Sequence, residues 1–139
     1  MSKFNSRMKV CTLLLLLAAT AISLPAQTFT TLHSFNGTDG NNSQAALMQA
    51  TNGYLYGSTV YAGANGVGTI FKMTTSGTVT LLHSFDQIDG SSPWNALVQG
   101  SDGNLYGTTN YGGVGHLCTG GCGTVYKATL AGAVTTIIE

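Results

Sequence analysis

The chain has 139 residues, of which 43% are hydrophobic and 7% are charged, and its formal net charge is zero. This length is typical of a single domain. Because the sequence contains only five lysines and arginines, it lacks the basic clusters that bind phosphates, and we expect no nucleic-acid partner.

The N-terminal stretch, residues 1–26, has the three-part pattern of a secretory signal peptide. Lys3, Arg7 and Lys9 form a positively charged start, and residues 10–22 are an unbroken run of apolar and small residues. This run is shorter than the roughly 20 residues that a membrane-spanning helix needs. We therefore predict cleavage after Ala26, a secreted or cell-surface protein, and no membrane span in the mature chain. An uncleaved N-terminal anchor is the alternative.

Two cysteines remain after cleavage, Cys118 and Cys122. In an oxidising compartment, this spacing predicts a disulfide that closes a small loop. The alternative is half of a metal site, which needs two further ligands, and only His116 is near in sequence. We predict the disulfide, no metal site and no cofactor.

The mature chain consists of copies of one unit. Residues 52–59, Asn-Gly-Tyr-Leu-Tyr-Gly-Ser-Thr, return at residues 102–109 as Asp-Gly-Asn-Leu-Tyr-Gly-Thr-Thr. An offset of about 50 residues also relates residues 32–35 to residues 82–85, and such a regular offset indicates a repeat architecture. Each Asn-Gly or Asp-Gly pair predicts a two-residue hairpin turn. The first unit has four predicted strands: Thr28–Phe35, Ala45–Ala50, Tyr54–Val60 and Gly68–Met73.

Four short strands per unit, at this period, predict an all-β fold of propeller-like, four-stranded antiparallel blades. We place repeat 1 at residues 27–77, repeat 2 at residues 78–132 and the start of a truncated third repeat at residues 133–139. Alternation in the strand that begins repeat 2 predicts that Leu81 and His83 share a face. Two repeats are too few to close a ring, so the chain is either a partial propeller from a longer array or a subunit of a homo-oligomer that completes the ring.

The ordered motifs resemble those of a known family. They are Leu-His-Ser-Phe at residues 82–85, Asp-Gly at 89–90, the run from Ala96 to Thr109, and Gly-Thr-Val-Tyr-Lys at 123–127. This combination resembles the GloVer tandem repeat of secreted bacterial proteins and covers nearly the whole mature chain. The resemblance implies an exported, propeller-like repeat protein that is often attached to the cell surface. It implies no enzymatic activity and no functional residues.

The residues that often carry catalysis are better explained by structure in this sequence. His33 and His83 each lie within a predicted strand beside apolar neighbours, which favours hydrogen-bonded structural histidines. Asp39, Asp89 and Asp102 each precede a glycine, as turns require. No serine, histidine and acid can be grouped by spacing into a catalytic set. We therefore predict that the chain is not an enzyme.

The strongest candidate for a functional surface is a group of aromatic and amide side chains near inter-strand loops. Trp94 and Tyr111 are close in sequence to Asn95 and Asn110, respectively, and proteins often hold sugars by ring stacking and amide hydrogen bonds. We predict non-catalytic binding of an extracellular carbohydrate or cell-surface protein through these four residues. The alternatives are a fragment of a propeller enzyme acting on polysaccharide and a degenerate repeat protein without function.

Overall fold

A computed structural model describes residues 27–115 and 118–138 of the chain. Residue contacts divide the chain into a first unit, Met1–Thr30, and a second unit, Thr31–Glu139. Of the first unit only residues 27–30 are described, and these are exposed and form no helix or strand. The predicted signal peptide therefore lies outside the described residues. Within the described ranges, no helix is long and apolar enough to cross a membrane.

The second unit contains two four-stranded antiparallel sheets. The strands are β1 (Met48–Gln49), β2 (Leu55–Thr59), β3 (Thr69–Met73), β4 (Val79–Ser84), β5 (Val98–Gln99), β6 (Leu105–Thr108), β7 (Val125–Ala128) and β8 (Val134–Ile138). Sheet 1 has the order β1-β2-β3-β4 and sheet 2 the order β5-β6-β7-β8. The all-β prediction and the four strands per unit are confirmed. In the described part of the chain the two sheets do not close into a ring, and each sheet takes its fourth strand from beyond the boundary of its sequence repeat.

The predicted strand at Thr28–Phe35 is wrong, because the structure contains no strand there. Its repeat equivalent includes β4, which is held by antiparallel pairing with β3. A strand in residues 28–35 would need an equivalent neighbour from a preceding sheet, and the described residues supply none. The segment is instead fixed by aromatic packing, with the Phe35 ring 5.0 Å from the Phe71 ring.

The hairpin between β1 and β2 differs from the predicted two-residue turn. The Ala50 N–H donates to the Tyr54 carbonyl, and the Gly53 N–H donates back to the Ala50 carbonyl, so three residues form the loop. Within this loop only Gly53 has a positive φ, +83°. The Asn52 side chain accepts the Tyr54 N–H at 3.2 Å and stabilises the turn locally. This is the three-residue loop with a left-handed glycine, the next most common hairpin connection.

The register of β3 and β4 overturns the predicted alternation. Ile70 pairs with His83, but Phe71 pairs with Leu81, so Leu82 is an extra residue in a β-bulge. Neighbouring residues of a strand point to opposite faces of a sheet. Leu81 and His83 therefore lie on opposite faces, and the prediction that they share one is wrong. The same irregularity recurs between β7 and β8.

The register also defines two faces of sheet 1. Ser58 pairs with Ile70 on the side that also carries Tyr56, and we call this side the front face of sheet 1. Gly57 pairs with Phe71 on the other side, which we call its back face.

Sheet 2 has the equivalent faces. Tyr106, Thr108 and Val125 lie on its front face, while Gly107 and Tyr126 lie on its back face.

The front face of sheet 1 packs against the back face of sheet 2, and we call this contact the seam. The buried apolar residues of the seam are Ala50, Tyr56, Ile70, Phe85, Leu97, Leu105, Tyr126 and Ala128. Hydrogen bonds cross the seam at its border, where the Ser58 hydroxyl donates to the Pro93 carbonyl at 3.1 Å. The Tyr56 hydroxyl also donates to the Leu130 carbonyl at 3.4 Å. The two repeats thus share one apolar core, although each is a separate sheet.

Candidate functional site

Backbone pairing places the two segments that carry the four predicted binding residues side by side. Ser91 and Tyr111 exchange two backbone hydrogen bonds of 2.8 and 3.1 Å, and the Asn110 N–H donates to the Ser92 carbonyl at 3.2 Å. Residues 91–95 therefore run antiparallel beside residues 108–111. Further along this pairing, the Asn95 side chain donates to the Thr108 hydroxyl at 3.0 Å. We call the surface formed by Trp94, Asn95, Asn110 and Tyr111 the aromatic edge.

The aromatic edge is open to solvent. Trp94 is 42% exposed and Tyr111 is 53% exposed, and both asparagines are exposed. Within the described residues, the side-chain amide of Asn110 has no hydrogen-bond partner, whereas that of Asn95 is held by Thr108. An exposed ring beside an unoccupied amide can offer a stacking surface and a hydrogen-bonding group to one ligand.

A cysteine-containing loop borders the aromatic edge. The sulfur atoms of Cys118 and Cys122 lie 2.08 Å apart, which is disulfide bonding distance, with their Cα atoms 5.2 Å apart. The Gly112 N–H donates to the Gly120 carbonyl at 2.9 Å, and the Gly123 N–H donates to the Gly112 carbonyl at 3.1 Å. Because Gly112 directly follows Tyr111, these bonds hold the loop beside the Tyr111 end of the aromatic edge.

The alternative of a metal site at these cysteines has no support in the described residues. They contain no cluster of three or more histidine, cysteine, aspartate or glutamate side chains suited to a metal ion. His116, the one further ligand that the sequence offered, lies outside the described residues.

His33 and His83 each pair with an aspartate six residues later. His33 Nε2 lies 2.7 Å from Asp39 Oδ2, and His83 Nε2 lies 2.5 Å from Asp89 Oδ2. All four side chains are about three-quarters buried. The predicted hydrogen-bonded histidines are therefore present, and their partners are the two aspartates that the sequence had assigned only to turns.

The aspartates also cap the loops that they belong to. The Asn36 N–H donates to the Asp39 carboxylate at 3.0 Å. This backbone bond is the largest cause of a lowered pKa at Asp39, and the hydrogen bond from His33 adds to it. In the second repeat, the Asp86 N–H donates in the same way to the Asp89 carboxylate at 3.0 Å. Asp86, which stands where the first repeat has Asn36, in turn accepts the backbone N–H of Asp89, and this bond lowers the pKa of Asp86. These carboxylates stabilise tight loops in their ionised form.

Ser84, which follows His83 in the sequence, is not in position to act as a nucleophile for the second His-Asp pair. Ser84 pairs with Thr69 and His83 pairs with Ile70, so the serine lies on the other face of the strand. The Ser84 hydroxyl also accepts the backbone N–H of Ala64 at 3.2 Å. A triad needs the nucleophile within hydrogen-bond reach of the histidine, and this geometry does not provide it.

Two features of the loop surface were missed from the sequence although a signal was present. Tyr61 is the repeat equivalent of Tyr111, and it is also half-exposed. Its position in the repeat was sufficient to nominate it. The His-Asp pairing was also signalled, because the same six-residue spacing occurs twice, at His33 with Asp39 and at His83 with Asp89.

Comparison of the sequence with curated proteins gives no match. In contrast, the profile of the Gloeobacter/Verrucomicrobia repeat matches residues 19–139, starting within the predicted signal peptide and running through both sheets. This agrees with the resemblance carried by the ordered motifs. The match covers most of the chain, and the chain therefore belongs to the Gloeobacter/Verrucomicrobia repeat family.

Proposed function

We propose that this chain is a secreted or surface-associated, non-catalytic repeat module that binds a neutral extracellular carbohydrate at the aromatic edge. The observation that supports this most is the pairing of residues 91–95 with residues 108–111, because these adjacent segments carry two exposed rings and two exposed amides. Backbone hydrogen bonds at both segments reduce the entropy that such a site loses when a ligand orders it.

The chemistry of the edge suits a neutral sugar. Its four side chains are uncharged, so an anionic or cationic ligand would find no opposite charge among them. Apolar sugar faces stack on aromatic rings, and hydroxyl groups bond to amides such as that of Asn110. Membership of a repeat family also supports a binding role, because repeat proteins commonly present loops on one face as a binding surface.

Retention of the purified chain on a panel of neutral polysaccharides, measured by affinity electrophoresis, tests the proposal. We expect retention by at least one polysaccharide, and the Trp94→Ala variant should weaken binding about tenfold, which corresponds to about 1.4 kcal/mol. Trp94→Phe should retain most of the binding because a ring remains. Tyr111→Ala should weaken binding by a similar factor.

Ile88→Ala is the matched control, because Ile88 is a large exposed residue outside the edge. We expect it to bind like the wild type. Absence of retention across the panel would contradict the proposal, and so would equal losses in the Trp94→Ala and Ile88→Ala variants. Release of new reducing ends from any polysaccharide would contradict the non-catalytic role.

A further inference from the structure

The front face of sheet 2 is the repeat equivalent of a face that is covered in sheet 1. Tyr56 on the front of sheet 1 is fully buried in the seam, whereas its equivalent Tyr106 is only partly buried. Met48 packs against the seam, whereas its equivalent Val98 is 64% exposed. The same sequence positions are therefore apolar in both sheets, but among the described residues only sheet 1 has its front face covered.

The back face of sheet 1 shows the complementary difference. Leu97, beside the back face of sheet 2, is 3% exposed in the seam, and its equivalent Leu47 beside the back face of sheet 1 is 44% exposed. Leu105 is fully buried, whereas its equivalent Leu55 is only partly buried. The two outer faces of the molecule are thus the equivalents of the two faces that meet in the seam. Phe35 already covers Phe71 on the back face of sheet 1, as Phe85 covers Tyr126 in the seam, so the exposed part of this face lies around Leu47.

The open front face has a concave surface that can receive apolar side chains. Two shallow, adjoining grooves of about 280 and 340 Å³ share Thr108 and Val125 in their linings. Val98 borders the first groove and Ile138 borders the second. Both of these residues are at least 60% exposed.

Two hydroxyl groups on this face are already satisfied within the repeat. The Thr108 hydroxyl accepts a hydrogen bond from Asn95, and the Tyr106 hydroxyl donates to Asp102 at 2.9 Å. A docking partner therefore does not need to supply polar partners to these two hydroxyls. What the face gains from a partner is burial of apolar surface, which stabilises by roughly 25 cal/mol per Å².

We propose that a second copy of this chain docks on this face, with the front face of sheet 2 in one copy packed against the back face of sheet 1 in the next. The docked pair repeats the geometry of the seam, in which a front face already meets a back face. Such a contact joins two different surfaces, so the docked pair keeps one open front face on one copy and one open back face on the other. Association is therefore head-to-tail and leads to larger assemblies at higher concentration.

Docking changes the surroundings of one N-terminal segment. In the seam, Leu82 lies against Gly132, and within sheet 1 Leu32 lies against the equivalent Gly77. Ile137 is the repeat equivalent of Leu82. In the docked pair, Ile137 of one copy would therefore take the position against Gly77 of the next copy that Leu32 occupies. Leu32 can give way because it belongs to no strand.

This inference does not depend on carbohydrate binding. Tyr61 remains half-exposed although the adjacent front face of sheet 1 is covered in the seam. By repeat equivalence, Tyr111 stays exposed when the front face of sheet 2 is covered. Asn95 lines the first groove, so docking covers this one member of the aromatic edge. Glycan retention that depends on the Tyr111 ring can therefore be measured separately from self-association.

Size-exclusion chromatography with light scattering, over a range of concentrations of the mature chain, tests the proposal. We expect a mass that rises with concentration from monomer to dimer and beyond. Val98→Lys blocks the open front face and Leu47→Lys blocks the back face, so each variant alone should remain monomeric. Their equimolar mixture should form a dimer, because each variant keeps the face that the other has lost. Ile88→Lys is the control, since Ile88 is also 64% exposed but lies in a loop.

A wild type that is monomeric at every concentration would overturn the proposal. An equimolar mixture that remains monomeric, while the wild type associates, would also overturn it. So would a dimer of either variant alone, because contact between two identical faces leaves one of the two variants able to associate with itself. Hydrogen exchange of the wild type provides a measurement that does not depend on variants. We expect amide protection in β5 and β6 to increase with protein concentration, and unchanged protection in an associating wild type would again contradict docking on this face.

Discussion

Replacing Tyr126 with phenylalanine should stabilise the protein. Tyr126 is fully buried in the seam, where its ring lies 5.1 Å from the Phe85 ring. Its hydroxyl has no hydrogen-bond partner within the described residues. The first repeat shows that the hydroxyl is dispensable, because Phe71 occupies the equivalent position and stacks on Phe35 at 5.0 Å.

The size of the effect follows from the cost of a buried, unpaired polar group. An unsatisfied buried hydroxyl costs about 1–3 kcal/mol. Removing the oxygen keeps the ring contacts but leaves a small void, so we expect a gain of about 1 kcal/mol in the free energy of unfolding. For a domain of this size, that gain raises Tm by about 4 °C.

Burial also raises the pKa of Tyr126. In the unfolded chain tyrosine ionises near pH 10, so the folded state binds the proton more tightly. The contribution of this residue to stability is therefore complete below about pH 10 and is lost as the pH rises further. Tyr126→Phe should remove this part of the alkaline destabilisation.

Urea unfolding at neutral pH and above pH 10 measures both effects. Tyr56→Phe is the control, because the Tyr56 hydroxyl accepts a hydrogen bond from Asn52 at 2.9 Å and donates one to the Leu130 carbonyl. We expect that variant to lose about 1 kcal/mol. If Tyr126→Phe were destabilised by as much as Tyr56→Phe, the Tyr126 hydroxyl must have a partner, and the reasoning would be refuted.

Three further predictions concern the loops. Hydrogen bonds lower the pKa of Asp39, so the contribution of Asp39 to folding stability is present above about pH 4 and is lost as the pH falls through the lowered value. The Asp39→Asn variant should therefore lose less stability in acid than the wild type. An unchanged acid transition would contradict this. Replacing Cys118 and Cys122 by serine should lower the free energy of unfolding by about 2 kcal/mol, which is the loop-closure entropy of so short a loop. Unaltered thermal unfolding of this variant would count against the disulfide. Gly40→Ala should lower the free energy of unfolding, measured by calorimetry, by about 3 kcal/mol, because the φ of Gly40 is +131° and a Cβ there would come within 2.5 Å of the buried Thr59 side chain. Gly53→Ala has open space around the new Cβ and should lower it by only about 1 kcal/mol. Equal losses in the two variants would contradict this difference.

The repeat made the fold largely predictable from the sequence. Its offset of about 50 residues fixed four strands per unit, and β2 and β6 lie within the motif that defined the repeat. The residues of the aromatic edge could be nominated as a candidate surface, because Trp94 and Tyr111 are next to amide residues in sequence, and ligand binding by them stays a prediction. What placed them together, the pairing of residues 91–95 with 108–111, involves isolated backbone bridges that leave no periodic pattern.

The bulge at Leu82 was not predictable from alternation. Residues 79–85 alternate between apolar and polar side chains except at Leu82 and His83, and only the pairing with β3 reveals that Leu82 is the extra residue. The missing strand at residues 28–35 has a similar explanation, because a strand requires a neighbour as well as a suitable sequence. The seam was equally hidden, since nothing in one repeat specifies which face of the next repeat will cover it.

The seam is the central claim, and amide hydrogen exchange of wild type and a Phe85→Ala variant tests it most directly. Phe85 is fully buried between the sheets and contacts Tyr126 of sheet 2. If the two repeats share one core, truncation of this ring should cost about 3–5 kcal/mol and lower the protection of β2, β3, β6 and β7 together. Loss of protection in one sheet, with the other unchanged, would show that the repeats fold independently and would contradict the shared core.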